Sequence, residues 1–390
     1  MGRSVNVGLV GYSFMGKAHS HAFKDMGFFF PDAEGMPVMK AICGRNKENV
    51  MSAANEFGWE GYETDWRELI SREDIDLIDI STPGDSHAEI AIAAAESGKH
   101  VFCEKPLANN LSDARAMAKA VKNAGVKSMV AYNYRRVPAV ALAKQLIEEG
   151  RIGQIYHWRA VYLQDWIMDP NFPLVWRLQK EKAGSGPHGD LNAHIIDLAR
   201  YLIGEIVEVT GMQETFIKER PIVDEIDSAL GATTATSTQT GPVTVDDTTL
   251  ALARFENGAV GSFEATRFAG GRRNGNRFEI NGSKGSITFN LEKMNELQYF
   301  NREDEDHIQG FREIIVTEGI HPYMDRWWPP GHTIGWEHTF IHEVYDLMQA
   351  IAGSNHFLHP DFDEGVRDQA VLEAISLSSE NGTWVKIADL

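Results

Sequence analysis

A chain of 390 residues with 43% hydrophobic and 24% charged residues can build two hydrophobic cores and has the composition of a globular protein. Its formal net charge of −19 argues against nucleic acid and anionic membrane as partners, because both require basic surface. Only two cysteines occur, Cys43 and Cys103, at predicted strand ends, where they read as small hydrophobes and not as a disulfide or metal pair. No signal peptide and no apolar run of membrane-spanning length is visible, so a cytoplasmic location is expected.

In chain order, Val5, Val7, Leu9 and Val10 read as an apolar strand that runs into Gly11-Tyr12-Ser13-Phe14-Met15-Gly16 and then a helix from Met15 into Phe23. A glycine-rich turn between a strand and a helix is the dinucleotide fingerprint, with Ser13 where the middle glycine is expected. Gly11 permits the sharp turn, a small residue at 13 admits a pyrophosphate, and Gly16 lets the helix approach the strand. The helix start at Phe14 and Met15 then offers backbone N–H groups to phosphate oxygens. The run Phe28-Phe29-Phe30-Pro31 reads as an apolar turn.

A second strand, Val38 to Cys43, ends in Gly44-Arg45, where users of NAD often carry an acidic residue for the ribose 2′-hydroxyl. Without a carboxylate there, Arg45 could pair with a 2′-phosphate, which leans the expected cofactor toward NADP, with NAD as the other choice. The strand Ile75 to Ile80 ends in Ser81-Thr82-Pro83, at the sheet end that faces the ligand crevice, and His87 opens a helix to Ser97 closed by Gly98. The strand from His100 leads into Glu104-Lys105-Pro106, which makes Lys105 a candidate active-site cation. A helix from Ser112 (read as its N-cap) to Asn123, a strand Ser128 to Tyr132, and Asn133-Tyr134-Arg135-Arg136 complete an alternating pattern. That pattern is an α/β, doubly wound parallel sheet of the Rossmann type, assigned to residues 1–134.

Residues 135–390 read as a second, α+β domain. A helix from Pro138 to Glu149 precedes a half-buried strand, Ile155 to Tyr162. Two hairpins follow, Leu250 to Phe255 with Val260 to Ala265, and Phe278 to Asn281 with Ser286 to Phe289. They predict a large open, mostly antiparallel sheet, followed by helices Phe340 to Ile351 and Asp363 to Ser379 and a last strand near Trp384 to Ile387. The threonine-rich loop 216–244 reads as a mobile arm or subunit contact.

Within the second domain, Gly184-Ser185-Gly186-Pro187-His188 opens a helix on which Asp190, His194 and Asp197 fall on one face. A hydroxyl proton removed while a hydride leaves the same carbon needs a base titrating near neutral pH, and histidine suits that. His338 and His342 share a helix face, but without an HExxH pattern or a carboxylate at ligand spacing they read as structural, and no metal site is predicted.

Together these residues resemble the Gfo/Idh/MocA oxidoreductases from end to end: Gly11 to Gly16, Thr82-Pro83 with His87, Gly98 to Val101, Glu104-Lys105-Pro106, and Asp190 with His194. The resemblance implies hydride transfer between a nicotinamide, NAD or NADP, and a secondary hydroxyl of a sugar, glycoside, anhydrosugar or inositol. It implies catalytic roles for Lys105, Asp190 and His194: the histidine as base, the lysine polarising the oxygen, the aspartate binding a hydroxyl or orienting the histidine. It implies cofactor contacts at Gly11, Ser13, Phe14, Met15, Gly16, Gly44, Arg45, Ser81, Thr82, Pro83, His87, Glu104, Lys105 and Asn133. It also implies homodimers or homotetramers built on the second sheet. Asn133 to Ala139, Tyr162 to Trp166 and Trp176-Arg177 are similar to the levoglucosan dehydrogenase and inositol dehydrogenase-like branch. Tyr134, Gln164, Trp166, Arg177 and His188 are accordingly read as pocket residues beside Lys105, Asp190 and His194, since aromatic faces stack on pyranose CH groups and amides bond its hydroxyls. Two other readings stay open at this point: an NAD-dependent glycosidase acting by transient C3 oxidation and elimination, and an inactive nucleotide-binding sensor.

Overall fold

The computed structural model describes residues 2–223, 239–353 and 358–390. The elements, in order, are β1 Arg3–Val10, α1 Phe14–Phe29, β2 Gly35–Cys43, α2 Lys47–Phe57, β3 Gly61–Glu63, α3 Trp66–Ser71, β4 Leu77–Ile80, α4 His87–Glu96, β5 His100–Cys103, α5 Leu111–Ala124 and β6 Ser128–Val130. Next come α6 Pro138–Glu148, β7 Ile155–Leu163, α7 Lys180–Ala183, α8 Ala193–Leu202, β8 Ile206–Glu214, β9 Glu219–Pro221, β10 Thr240–Pro242, β11 Thr248–Phe255 and β12 Val260–Thr266. β13 Gly275–Gly282, β14 Gly285–Asn290, β15 Glu296–Asn301, β16 Arg312–Ile315, α9 His338–Ala352, α10 Phe362–Asn381 and β17 Val385–Lys386 close the chain.

Two compact units result: Met1–Arg136 with Gly335–Gln369, and Val137–Ile334 with Ala370–Leu390. The sequence assigned everything after residue 134 to one domain, whereas Gly335–Gln369 belongs to the first unit. The contact is intimate: Gly35 on β2 lies so near α9 that a Cβ would come within 2.3 Å of the Met348 carbonyl oxygen. That backbone-to-backbone approach cannot be read from either segment alone.

In the first unit six strands form a sheet in the order β3-β2-β1-β4-β5-β6, every pairing parallel. Strands covered on both faces read as continuous apolar runs, and Val7, Leu9, Leu77, Ile78, Ile80 and Val101 are fully buried. The order reverses between β1 and β4, so the ligand crevice of this unit lies at their carboxyl ends, beside Gly11 and Ser81. α1 runs further than expected and takes in Phe28 and Phe29, and α5 is capped by Asn110, whose side chain accepts from the Asp113 N–H, not by Ser112. Cys43 and Cys103 are both buried and free, as small hydrophobes in strand ends.

The second unit holds a nine-stranded sheet in the order β16-β15-β14-β13-β7-β12-β11-β8-β17, in which β7 and β12 are parallel and the other neighbours antiparallel. Both expected hairpins are present. Trp158 on β7 is fully buried and stacks on Phe278, with ring centroids 5.2 Å apart. The opposite face leaves Met212, Leu250, Leu252 and Val260 exposed. The ends of the loop 216–244 close in a small ladder of β9 with β10, and its residues 224–238 lie outside the described residues. Among the described residues no helix is long and apolar enough to cross a membrane.

Since a methyl at Gly35 must displace α9 backbone, Gly35→Ala should lower unfolding stability by about 1–3 kcal/mol, the usual cost of overpacking. Urea denaturation followed by circular dichroism checks this, and an unchanged midpoint would show that α9 yields.

Candidate active site

The first unit shapes its crevice by close backbone approach. Gly11 has φ +107, and its N–H donates to the Cys43 carbonyl at 3.0 Å. A Cβ there would lie 2.6 Å from the Ser81 carbonyl oxygen, and one on Gly16 would lie 2.2 Å from the Gly11 carbonyl oxygen. Gly44 is equally constrained: a Cβ would lie 2.1 Å from the Tyr12 ring. Ser13 precedes α1 in extended conformation without capping the helix through its hydroxyl. The first N–H groups of this sixteen-residue helix therefore lack a side-chain cap at Ser13, and the dipole favours an anion there. A dinucleotide pyrophosphate fits this cradle. Phe14 is half exposed and stacks on Trp336, with ring centroids 5.5 Å apart at 13°. Arg45 is exposed beside Gly44, whose N–H donates to the Glu63 carbonyl.

Beneath the cradle lies a charge cluster that sequence reading passed over. His19 of α1 is fully buried, with Nδ1 2.8 Å from Asp79 Oδ2 and Nε2 3.1 Å from Glu104 Oε1. The Phe102 ring stacks on it and the Phe340 ring tilts against it. Burial by itself opposes charge on the imidazole, but the Asp79 and Glu104 carboxylates overcome it, and the His19 pKa is pushed up to about 10. Glu104 uses its other oxygen to accept the Lys105 backbone N–H at 3.0 Å. The one signal for His19 was its place on the inner side of α1, one turn after Gly16.

His87 is buried as a brace. Nε2 meets the Thr82 carbonyl at 2.9 Å, and Nδ1 faces the Pro106 and Leu107 carbonyls at 3.2 Å each. It joins the Ser81-Thr82-Pro83 loop to the Glu104-Lys105-Pro106 loop. Asn133 is also buried and donates to Thr339 Oγ1 at 2.8 Å, so its side chain serves α9. Tyr134, in the same short turn, is 4% exposed and belongs to the first unit.

The second unit brings four of the expected residues into one chain of contacts. Trp166 Nε1 donates to Gln164 Oε1 at 2.8 Å, and Gln164 Nε2 donates to Asn274 Oδ1 at 3.0 Å. The Tyr162 hydroxyl donates to the same Asn274 oxygen at 2.7 Å, and the Tyr162 ring lies 5.9 Å from the His194 ring. Arg267 donates through Nη2 to Asp190 Oδ2 at 2.6 Å while its guanidinium lies 5.0 Å over the Trp166 ring. Arg267 and Asn274 carry no motif and were missed, because only the β12–β13 connection delivers them here. Arg177 lies over the ring of Trp176, 4.3 Å away.

The helix carrying Asp190 differs from the expected one. Its start, His188–Asn192, is a π-helical turn before α8. The preceding glycines are clamped, not loose: Asp246 accepts the Gly186 and His188 N–H groups at 2.6 and 2.9 Å, and a Cβ on Gly186 would lie 1.9 Å from the Asp246 carbonyl oxygen. His188, read as a pocket residue, is turned inward. Its Nε2 donates to the Leu372 carbonyl at 2.8 Å and Nδ1 accepts from Asn192 at 3.2 Å, and burial lowers its pKa. Asp197 is buried on the same helix, and His194 is 6% exposed.

A fold with a reversing parallel sheet, a glycine cradle and a separate open-sheet unit bearing an Asp–His helix defines a two-part nucleotide-dependent oxidoreductase. The family model "Oxidoreductase family, NAD-binding Rossmann fold" matches residues 5–132, and "GFO/IDH/MocA C-terminal domain" matches 140–288. The chain belongs to the Gfo/Idh/MocA family and is an NAD-dependent oxidoreductase. It is 48% identical over 389 residues to the levoglucosan dehydrogenase of Pseudarthrobacter phenanthrenivorans, covering 100% of this chain and 99% of that one. Among solved structures, an oxidoreductase domain protein from Kribbella flavida is 51% identical with TM-score 0.92, covering 99% of this chain and 100% of that one. A levoglucosan dehydrogenase in complex with NADH and levoglucosan is 48% identical with TM-score 0.92, over 99% and 100% of the two chains.

The His19 cluster makes stability depend on pH with a definite sign. A group whose pKa rises on folding, here from 6.5 to about 10, contributes fully below 6.5 and loses that contribution as pH rises through about 10. Thermal midpoints should therefore fall between pH 7 and pH 10, and His19→Gln should start lower and fall less. Equal slopes in the two proteins would assign the effect elsewhere.

Proposed function

We propose that this chain oxidises a secondary hydroxyl of a sugar or cyclitol, with an anhydrosugar of the levoglucosan type as first candidate, using NAD. The observation that carries this is the joined set Gln164, Trp166, Asp190 and His194 in the second unit, where an aromatic ring, an amide, a carboxylate and an imidazole are held together. An aromatic face suits the CH groups of a pyranose and the polar groups suit its hydroxyls. The relatives add the chemistry: one is a levoglucosan dehydrogenase at 48% identity across the whole chain. Nothing in these matches supports the glycosidase or sensor reading. In this division of labour residues 1–134, with Gly335–Gln369, serve the dinucleotide, and the remainder serves the substrate.

NAD, when bound, supplies the hydride acceptor. The residues of the chain do the rest. His194 takes the hydroxyl proton onto its imidazole, a role that needs a group able to hold a proton near neutral pH. Lys105 donates to the hydroxyl oxygen and stabilises the negative charge that builds there as the proton leaves. Its backbone is held by Glu104, which His19 clamps in turn. Asp190 accepts a substrate hydroxyl or steadies the imidazolium. His188, committed to Leu372 and Asn192, supports the helix from behind.

A second reading concerns the dinucleotide. The exposed Arg45 beside Gly44 favours NADP, because a guanidinium pairs with a 2′-phosphate and no carboxylate at that position repels it. The relatives solved with NADH favour NAD. The exposed face carrying Met212, Leu250, Leu252 and Val260 suits a second copy of the chain, and a homodimer or homotetramer through this sheet is part of the proposal.

His194→Ala should lower turnover of levoglucosan or inositol by about 10²- to 10⁴-fold, the usual worth of a positioned base, with NAD affinity by fluorescence titration unchanged. Turnover at the normal rate would remove the histidine from the mechanism. For the cofactor, kcat/KM for NAD should exceed that for NADP. If NADP is preferred and Arg45→Gln erases the preference, the second reading replaces the first.

A further inference from the structure

Asp190 lies in an irregular stretch of backbone just ahead of α8. The π-helical turn His188–Asn192 is a local departure from α-helical spacing, and the side chain of Asp190 is 33% exposed. What meets it is Arg267, at the end of β12. The Arg267 side chain is 1% exposed, and its Nη2 donates to Asp190 Oδ2 at 2.6 Å. Its guanidinium lies over the Trp166 ring, 5.0 Å from the ring centroid, and Trp166 is itself anchored edge-on against Phe172 at 5.3 Å and through Nε1 to Gln164. Trp166 also packs against the apolar cluster of Ile167, Val175, Leu178 and Val243. The backbone N–H of Arg267 points to the Asp247 carbonyl at 3.4 Å.

A planar cation lying over a fixed indole and bonded to one carboxylate oxygen is a well-held support. Arginine is suited to it because the fork both stacks and bonds, and a lysine would be a point charge on a flexible stem. The guanidinium is buried and the carboxylate partly exposed, so loss of the cation leaves the carboxylate to reorient toward water. We propose that Arg267 is a positioning residue for the reaction: it holds the Asp190 carboxylate in the one orientation from which it serves His194 and the substrate hydroxyl. Trp166 then has two tasks, a ring for the sugar and a platform for Arg267. This rests on the dehydrogenase reading above.

The test compares Arg267→Met, Arg267→Lys, Asp190→Asn and the double variant Asp190→Asn with Arg267→Met, in the full chain with NAD and levoglucosan or inositol. Arg267→Met should lose about 10²-fold in kcat, the usual effect of a misplaced catalytic group, with NAD affinity unchanged. Arg267→Lys should lie between it and the wild type. The double variant should be no slower than Asp190→Asn alone, because Arg267 acts through Asp190. Losses that multiply, or a normal rate in Arg267→Met, overturn the inference. A crystal structure of Arg267→Met, or of Arg267→Lys if the first does not fold, gives an answer independent of substrate. The Asp190 carboxylate should have left its position, and an unmoved carboxylate overturns the inference whatever the enzyme oxidises. A displaced carboxylate together with a wild type that reduces no NAD with any polyol would overturn the dehydrogenase reading, and with it the role in that reaction, and leave Arg267 only as the group that holds Asp190.

Discussion

The first unit depends on one buried ion cluster. His19, on the helix that follows the glycine cradle, is held between Asp79 at the end of β4 and Glu104 at the end of β5. A protonated imidazole between two carboxylates is tolerable in a dry interior only because each charge has a partner at hydrogen-bond distance and aromatic rings seal the cluster. Three elements are thereby locked in register at the carboxyl edge of the sheet. Glu104 passes the constraint on to the backbone of Lys105, and His87 ties that loop to Thr82. The backbone of Lys105 and the helix that follows the glycine cradle are thus tied to the same buried charges.

The second unit solves a similar problem by different means. The helix that carries His194 begins with an irregular turn, which other elements support. Asp246 caps the turn through two backbone N–H groups, His188 reaches back to Leu372, and Arg267 secures Asp190 from the neighbouring strand. The Tyr162–Asn274–Gln164–Trp166 chain continues the support across the sheet. The side chains proposed to meet substrate are therefore already engaged in hydrogen bonds that hold the fold. Gln164 gives one bond from each end of its amide to protein partners, which fixes the plane of the amide beside the Trp166 ring.

Much of this was legible in the chain. The glycine spacing, the apolar strands and the Glu104-Lys105-Pro106 turn are local patterns, and the parallel sheet follows from strand and helix alternating. Asp190 and His194 were singled out from helical spacing, although Asp190 lies in a π-helical turn ahead of α8. His19 was not, because a histidine on the buried side of a helix shows nothing of the carboxylates that meet it from residues 79 and 104. His188 looked like a pocket residue for the same reason in reverse: adjacency in sequence to Asp190 says nothing about which way the imidazole turns.

The sequence by itself determined the fold class, the two-part organisation and the residue types available for acid–base chemistry, because backbone preference, apolar period and glycine tolerance act over a few neighbouring residues. Tertiary structure alone decided that Gly335–Gln369 joins the first unit and that Arg267 and Asn274 stand beside Asp190 and Gln164. Those outcomes depend on distances between residues far apart in the chain. Backbone close contact, ion pairing and ring stacking act only once the strands have been brought into order.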